Sequence, residues 1–134
     1  MKRALVVVVL AASLTACGGD DPRGGAADRR VDLTAHFSRF APAELAVPLG
    51  TIVQFTVRND DPIAHELIVG DDEVHVRHEA GNEPHHGDKP GEVSVPAGTT
   101  ASTTYRFDQP GTFVFACHLP GHFAYGMRGV VRVA

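Results

Sequence analysis

The chain has 134 residues, with 12 Lys and Arg against 16 Asp and Glu and a formal charge of −4. That balance argues against a nucleic-acid or anionic-membrane surface and leaves a basic protein partner open. The length suits one domain around one core.

The first residues read as a targeting segment. Met1, Lys2 and Arg3 supply a positive start, and Ala4 to Ala12 form an apolar run too short to span a bilayer. Leu14-Thr15-Ala16-Cys17 resembles a bacterial lipobox. On that reading residues 1–16 are a lipoprotein signal peptide, and Cys17 carries lipid as the first mature residue. The alternative is an ordinary secretory signal cleaved near Ala16. A diacylglyceryl group plus an amide-linked chain would bury dozens of methylenes at about 0.8 kcal/mol each, enough for a stable anchor. Without Lys2 and Arg3, ten basic residues face sixteen acidic ones and the formal charge falls to −6.

Lipidation of Cys17 would leave Cys117 as the only thiol. No intramolecular disulfide could then form, even in an oxidising compartment. Metal ligation is a reason for an exported domain to keep one free cysteine. Residues 17–30 are Gly, Asp, Arg and Ala without apolar periodicity and read as a flexible tether. The domain proper is expected over 31–134.

Short strands punctuated by turns follow. Phe37 to Val47 is apolar with breaks and ends at Pro48-Leu49-Gly50. Thr51 to Arg58 alternates, with Val53, Phe55 and Val57 on one face. Asn59 to Pro62 is a turn signal, and His65, Leu67 and Val69 share a face of the next run, with His65 near its start. Val93 to Val95 and the alternating Thr103, Tyr105 and Phe107 are further strands, each closed by a Pro-Gly-containing turn. No helix-period stretch and no repeat is evident. The predicted fold is all-β, a Greek-key β-sandwich with a His-rich loop insertion.

That insertion, from Gly70 to Gly91, holds His75, His78, His85 and His86 among Asp and Glu. It reads either as a solvated acidic loop or as a second, weaker metal site, since imidazoles suit copper, zinc and nickel. His75 and His78 could converge if the segment turns helically, whereas His85 and His86 point apart if extended.

The C-terminal stretch FVFACHLPGHFAYGMRGVVRV, from Phe113 to Val133, reads as a strand, a compact loop and a closing strand. The loop offers Cys117, His122 and Met127 in the spacing Cys-x4-His-x4-Met. A thiolate, an imidazole and a thioether suit copper, with two strong ligands and one weak axial one. Calcium or magnesium would want carboxylates, and the loop has none. The set is one histidine short, and His65 is the best-placed candidate. A Cys-His nucleophile lacks an oxyanion donor set here, and phosphate-binding glycine motifs and hydrolase elbows are absent.

Cys117-His-Leu-Pro-Gly-His122-Phe-Ala-Tyr-Gly-Met127 resembles the ligand loop of the cupredoxins, the type 1 blue copper proteins, and most of all that of the rusticyanins. His65-Glu66-Leu67-Ile68-Val69-Gly70 followed by a His-rich insertion is similar to periplasmic cupredoxins of copper tolerance. The resemblance implies one type 1 copper held by His65, Cys117, His122 and Met127. It implies one-electron transfer outside the cytoplasm, with no substrate transformed. Sequestration of excess copper is the alternative use of the same ligands. The family usually has asparagine after the first histidine, bonding to the cysteine's strand. Glu66 stands there, which puts that bridge in question. His36 and His118 are expected to be structural or exposed. The expected partners are a redox or copper-handling protein, with lipid on Cys17 at the membrane and the chain a monomer.

Overall fold

The computed structural model describes residues 26–81 and 89–134. Cys17, His85 and His86, and the expected signal peptide, lie outside the described residues. Nine strands and one helix are found among the described residues: β1 (Arg29–Ala35), β2 (Phe40–Ala41), β3 (Glu44–Val47), β4 (Ile52–Asn59), β5 (His65–Gly70), α1 (Asp72–Ala80), β6 (Glu92–Val95), β7 (Thr100–Arg106), β8 (Gly111–Ala116) and β9 (Arg128–Val133). One sheet runs β2-β1-β4-β7 and the other β3-β9-β8-β5-β6. The pairings β1 with β4 and β3 with β9 are parallel, and the others antiparallel.

The alternation read in the sequence becomes the inner faces of the two sheets. Val53, Phe55 and Val57 of β4 are fully buried, as are Leu67 of β5 and Phe115 of β8. Phe55 meets both Phe107 and Phe115 at 6.4 Å between ring centroids, so the rings bridge the layers. Burying each such side chain stabilises the fold by about 1.5–3 kcal/mol. The sheet starts slightly earlier than expected. Arg29 and Arg30 pair with Val53 and Gln54, and the Asp28 carboxylate accepts from the Ile52 N–H at 2.8 Å.

The helix α1 departs from the sequence reading, which found no helical period. Local signals for it exist. The Asp71 side chain caps it by accepting from the Val74 N–H, Asp72 and Glu73 occupy the first turn, and Arg77 and His78 the last. Its buried residues, however, are His75 and His78 rather than aliphatics, so hydrophobic periodicity could not show it. The helix packs against β5 and β8, and this explains why β5 is buried along its whole length instead of alternately. Gly70 permits the close approach: a Cβ there would lie 2.6 Å from Cβ of Val74.

Candidate metal centre

Three segments meet at one end of the five-stranded sheet. His65 opens β5, Cys117 directly follows β8, and Met127 directly precedes β9. The strand registers carry them together. Ile68 pairs with Ala116 and Ala116 with Arg128, so continuing both ladders sets Cys117 between Leu67 and Met127. The Cys117 N–H donates to the Met127 carbonyl at 3.1 Å, and the Met127 N–H to the His122 carbonyl at 2.9 Å. Further backbone bonds from His122 to Leu119, Tyr125 to Gly121 and Gly126 to Phe123 wind the loop into consecutive turns. Gly126 sits at φ 90°, in the left-handed region that glycine enters without a Cβ penalty.

The donor atoms converge. Nδ1 of His65 lies 3.3 Å from Nδ1 of His122, which lies 3.2 Å from Sγ of Cys117. One atom each from His65, Cys117 and His122 fall within 4.8 Å of one another, a grouping that could hold a metal ion. Met127 is fully buried in the same core cluster as Cys117. Burial pushes the Cys117 thiol up to about 11, so a cation arriving here would displace a proton from a neutral, sequestered sulfur. That state also disfavours a nucleophilic role, which needs a thiolate. Burial, and then the neighbouring His65, holds His122 below the ordinary imidazole range, keeping it neutral and able to bind metal. One thiolate and two imidazoles, with a buried methionine in the same core cluster as the cysteine, fit copper better than a hard cation.

Two acidic residues that sequence reading did not assign hold the site in place. Asp61 Oδ2 accepts from Nε2 of His65 at 2.8 Å, which leaves Nδ1 of that ring facing His122 and Cys117. Such a carboxylate on the remote nitrogen is the usual support of a metal-ligating histidine. The same carboxylate accepts from the Phe37 and Ser38 N–H groups at 2.7 and 2.8 Å. Burial opposes its ionisation, but these backbone bonds and His65 outweigh it and hold Asp61 below its ordinary value. Asn59 secures the loop: its amide donates to the Ile63, Val95 and Pro96 carbonyls, and its oxygen accepts from the Asp61 N–H. Glu66 supplies the bridge that its replacement of asparagine had put in question. Its Oε1 accepts from the His118 N–H at 2.8 Å, tying β5 to the residue after Cys117.

The remaining histidines divide. His36 is about half exposed and lies 3.6 Å from Asp61. His75 and His78 are both buried under α1, but the ring that His75 meets is His118, at 2.8 Å between nitrogens. His118, expected to be structural or exposed, has a side chain only 2% exposed and lies 2.6 Å from Glu79. The one signal for it in the sequence was its place beside Cys117. Asp61 was signalled by its position four residues before His65 in an Asp-Pro turn.

A model of copper-binding proteins, the plastocyanin/azurin family, matches residues 29–134. The copper-resistant cuproprotein CopI of Rubrivivax gelatinosus is 38% identical over 99 residues, covering 71% of this chain and 59% of that protein. Auracyanin-B of Chloroflexus aurantiacus is 28% identical over 109 residues, covering 70% of this chain and 46% of that one. The chain therefore spans about half the length of these two relatives. Among solved structures, auracyanin B superposes with a TM-score of 0.68 at 23% identity, covering 83% of this chain and 92% of that chain. An auracyanin from Roseiflexus castenholzii gives 0.65 at 23% identity, covering 82% and 99%. Both share the fold.

Proposed function

The chain belongs to the plastocyanin/azurin family of copper-binding proteins, and from that premise we propose that it holds one type 1 copper on His65, Cys117, His122 and Met127. The observation that carries this is the convergence of two imidazole nitrogens on one buried thiol, with a buried methionine following in the same loop. When bound, copper supplies a one-electron couple between Cu(II) and Cu(I). The protein's part is to hold the donors still. Asp61 fixes the ring of His65, Glu66 fixes the peptide after Cys117, and the ladder between Cys117 and Met127 closes the loop. Buried Phe115 and half-buried Leu119 beside the thiol keep water out, which favours the ion of lower charge. On this reading no substrate is transformed.

We infer that the cellular task is copper tolerance outside the cytoplasm, at the membrane through lipid on Cys17. Similarity to the CopI proteins supports this, together with the imidazoles gathered under α1. A one-electron carrier is the second reading. It is supported by similarity to auracyanin-B and by the part-exposed His122, through which an electron could pass to a partner protein. No helix among the described residues is long and apolar enough to cross a membrane. The test is copper loading of the purified protein. One tightly bound copper with intense visible thiolate charge transfer is expected, and Cys117→Ser should abolish the colour while the fold persists. A colourless copper-loaded wild type would remove the type 1 assignment. Copper-sensitive growth of cells lacking the protein would support tolerance over electron carriage.

A further inference from the structure

A second group of side chains lies beside the first and shares none of its ligands. His75 Nε2 lies 3.1 Å from the Val114 carbonyl, His75 Nδ1 lies 2.8 Å from His118 Nε2, and His118 Nδ1 lies 2.6 Å from Glu79 Oε1. Both ends of this chain, a carbonyl and a carboxylate, only accept. The two outer nitrogens must therefore carry the protons. Two neutral imidazoles have no proton left for the contact between them, so two lone pairs would face each other across 2.8 Å. The ring centroids are 5.1 Å apart, the separation expected when two imidazoles meet nitrogen to nitrogen. Either an extra proton or a metal cation resolves that contact.

We propose that His75 Nδ1 and His118 Nε2 are the protein ligands of a second copper site. The Glu79 carboxylate and the Val114 carbonyl orient the two rings from behind, as remote acceptors do for metal-ligating histidines. Both rings are held flat against Phe123, stacked at 24° for His118 and 10° for His75. Of the two buried histidines of this nine-residue helix, His75 is the one whose ring nitrogen meets another imidazole nitrogen. The pair is in line, which suits monovalent copper with two nitrogen donors. At metal–nitrogen bonds of about 2 Å the nitrogens must part to about 4 Å, a small outward shift of α1. A surface cavity of about 590 Å³ lined by His75, Glu79, Val114 and Phe123 opens on the His75 side of the pair. His78 is not part of the pair: its Nδ1 bonds to the Val74 carbonyl, and its Nε2 lies 3.4 Å from Glu92.

This site does not rest on the type 1 reading, and the test keeps the two apart. The purified full chain is titrated anaerobically with Cu(I) against a chromogenic Cu(I) chelator, with far-UV circular dichroism confirming each variant's fold. Wild type should bind two equivalents, and His75→Phe one, with its oxidised form still coloured. The double variant His65→Ala, Cys117→Ser should retain one equivalent, and adding His75→Phe to it should remove that one. Glu79→Gln, at an exposed position, should weaken the second copper about 10- to 100-fold and leave the first unchanged. Should His75→Phe fail to fold, the Glu79 variant decides the matter. A wild type that binds one equivalent and a double variant that binds none would overturn the second site while leaving the type 1 site standing. Retention of one equivalent by the double variant, with none lost on His75→Phe, would also overturn it.

Discussion

Asp61 is the residue whose removal should be felt at the greatest distance. Its carboxylate accepts from two backbone N–H groups in the turn between β1 and β2 and from the ring of His65. Phe37 and Ser38 in that turn sit at φ 50° and 52°. Left-handed backbone costs a non-glycine residue about 1–2 kcal/mol, so the turn carries about 2–4 kcal/mol that something must offset. Two hydrogen bonds to an ionised acceptor contribute about 1.5–3 kcal/mol each, which is of the size needed. Asp61→Ala should therefore destabilise the copper-free protein by about 3 kcal/mol, and Asp61→Asn by about half as much, because one amide oxygen can still accept. With a urea m-value of about 2 kcal/mol/M, the alanine variant's midpoint should fall by about 1.5 M. Copper affinity should fall as well, by about 10- to 100-fold, because His65 loses the group that orients it. Urea unfolding of the copper-free variants and competition for copper against a chelator measure the two effects separately. A midpoint within about 0.3 M of wild type, given that m-value, would refute the account of the turn. An unchanged copper affinity would refute the positioning of His65.

Met127→Leu should keep copper and colour but raise the reduction potential, since losing a sulfur donor disfavours Cu(II) more than Cu(I); voltammetry reads the shift. The Cys117 thiol, pushed up to about 11 by burial, binds its proton more tightly folded than unfolded. Copper-free stability should therefore be intact below pH 9 and fall as pH rises toward 11, by about 2–3 kcal/mol, and Cys117→Ala should lose that slope in urea melts taken across the range. Gly129→Ala should destabilise by more than about 2 kcal/mol, because the new Cβ would meet the Phe115 ring and come 2.6 Å from the Ala43 carbonyl oxygen; a thermal melt within about 4 °C of wild type would contradict this.

What could be read from the sequence was whatever is local in it. Val53, Phe55 and Val57 alternate over five residues, and the core takes them as that pattern implies. Cys117 and His122 lie with Met127 in one eleven-residue loop, so bringing a thiol and an imidazole of that loop to His65 needed only one long-range guess. The helix was hidden for a physical reason: its inward residues are imidazoles, which hydrophobic periodicity counts as polar. Glu66 was read as a departure that put a bridge in question, and the register of β5 against β8 shows the carboxylate making it. Glu79 carried no signal in the sequence, and Asp61 had only its place four residues before His65 in an Asp-Pro turn. Their partners are 23 to 39 residues distant in the chain, apart from the bond of Asp61 to His65, and only the folded sheets bring them close.

The two clusters differ in what a bound ion would hold together. His65 hangs from Asp61, and Asp61 also grips the β1–β2 turn of the opposite sheet, while Cys117 and Met127 close the ladder between β8 and β9. An ion on those donors therefore ties both layers of the sandwich. Its binding free energy should appear as global stability, growing with the logarithm of free copper. The contact between His75 and His118 joins only α1 to the edge of the loop after β8. An ion there would restrain one helix and leave the sandwich nearly as it was, so that site could fill and empty without loosening the other. With both sites filled, a protein meeting variable copper would gain from that separation, since one ion would be kept by the core and the other released at the cost of a single short helix.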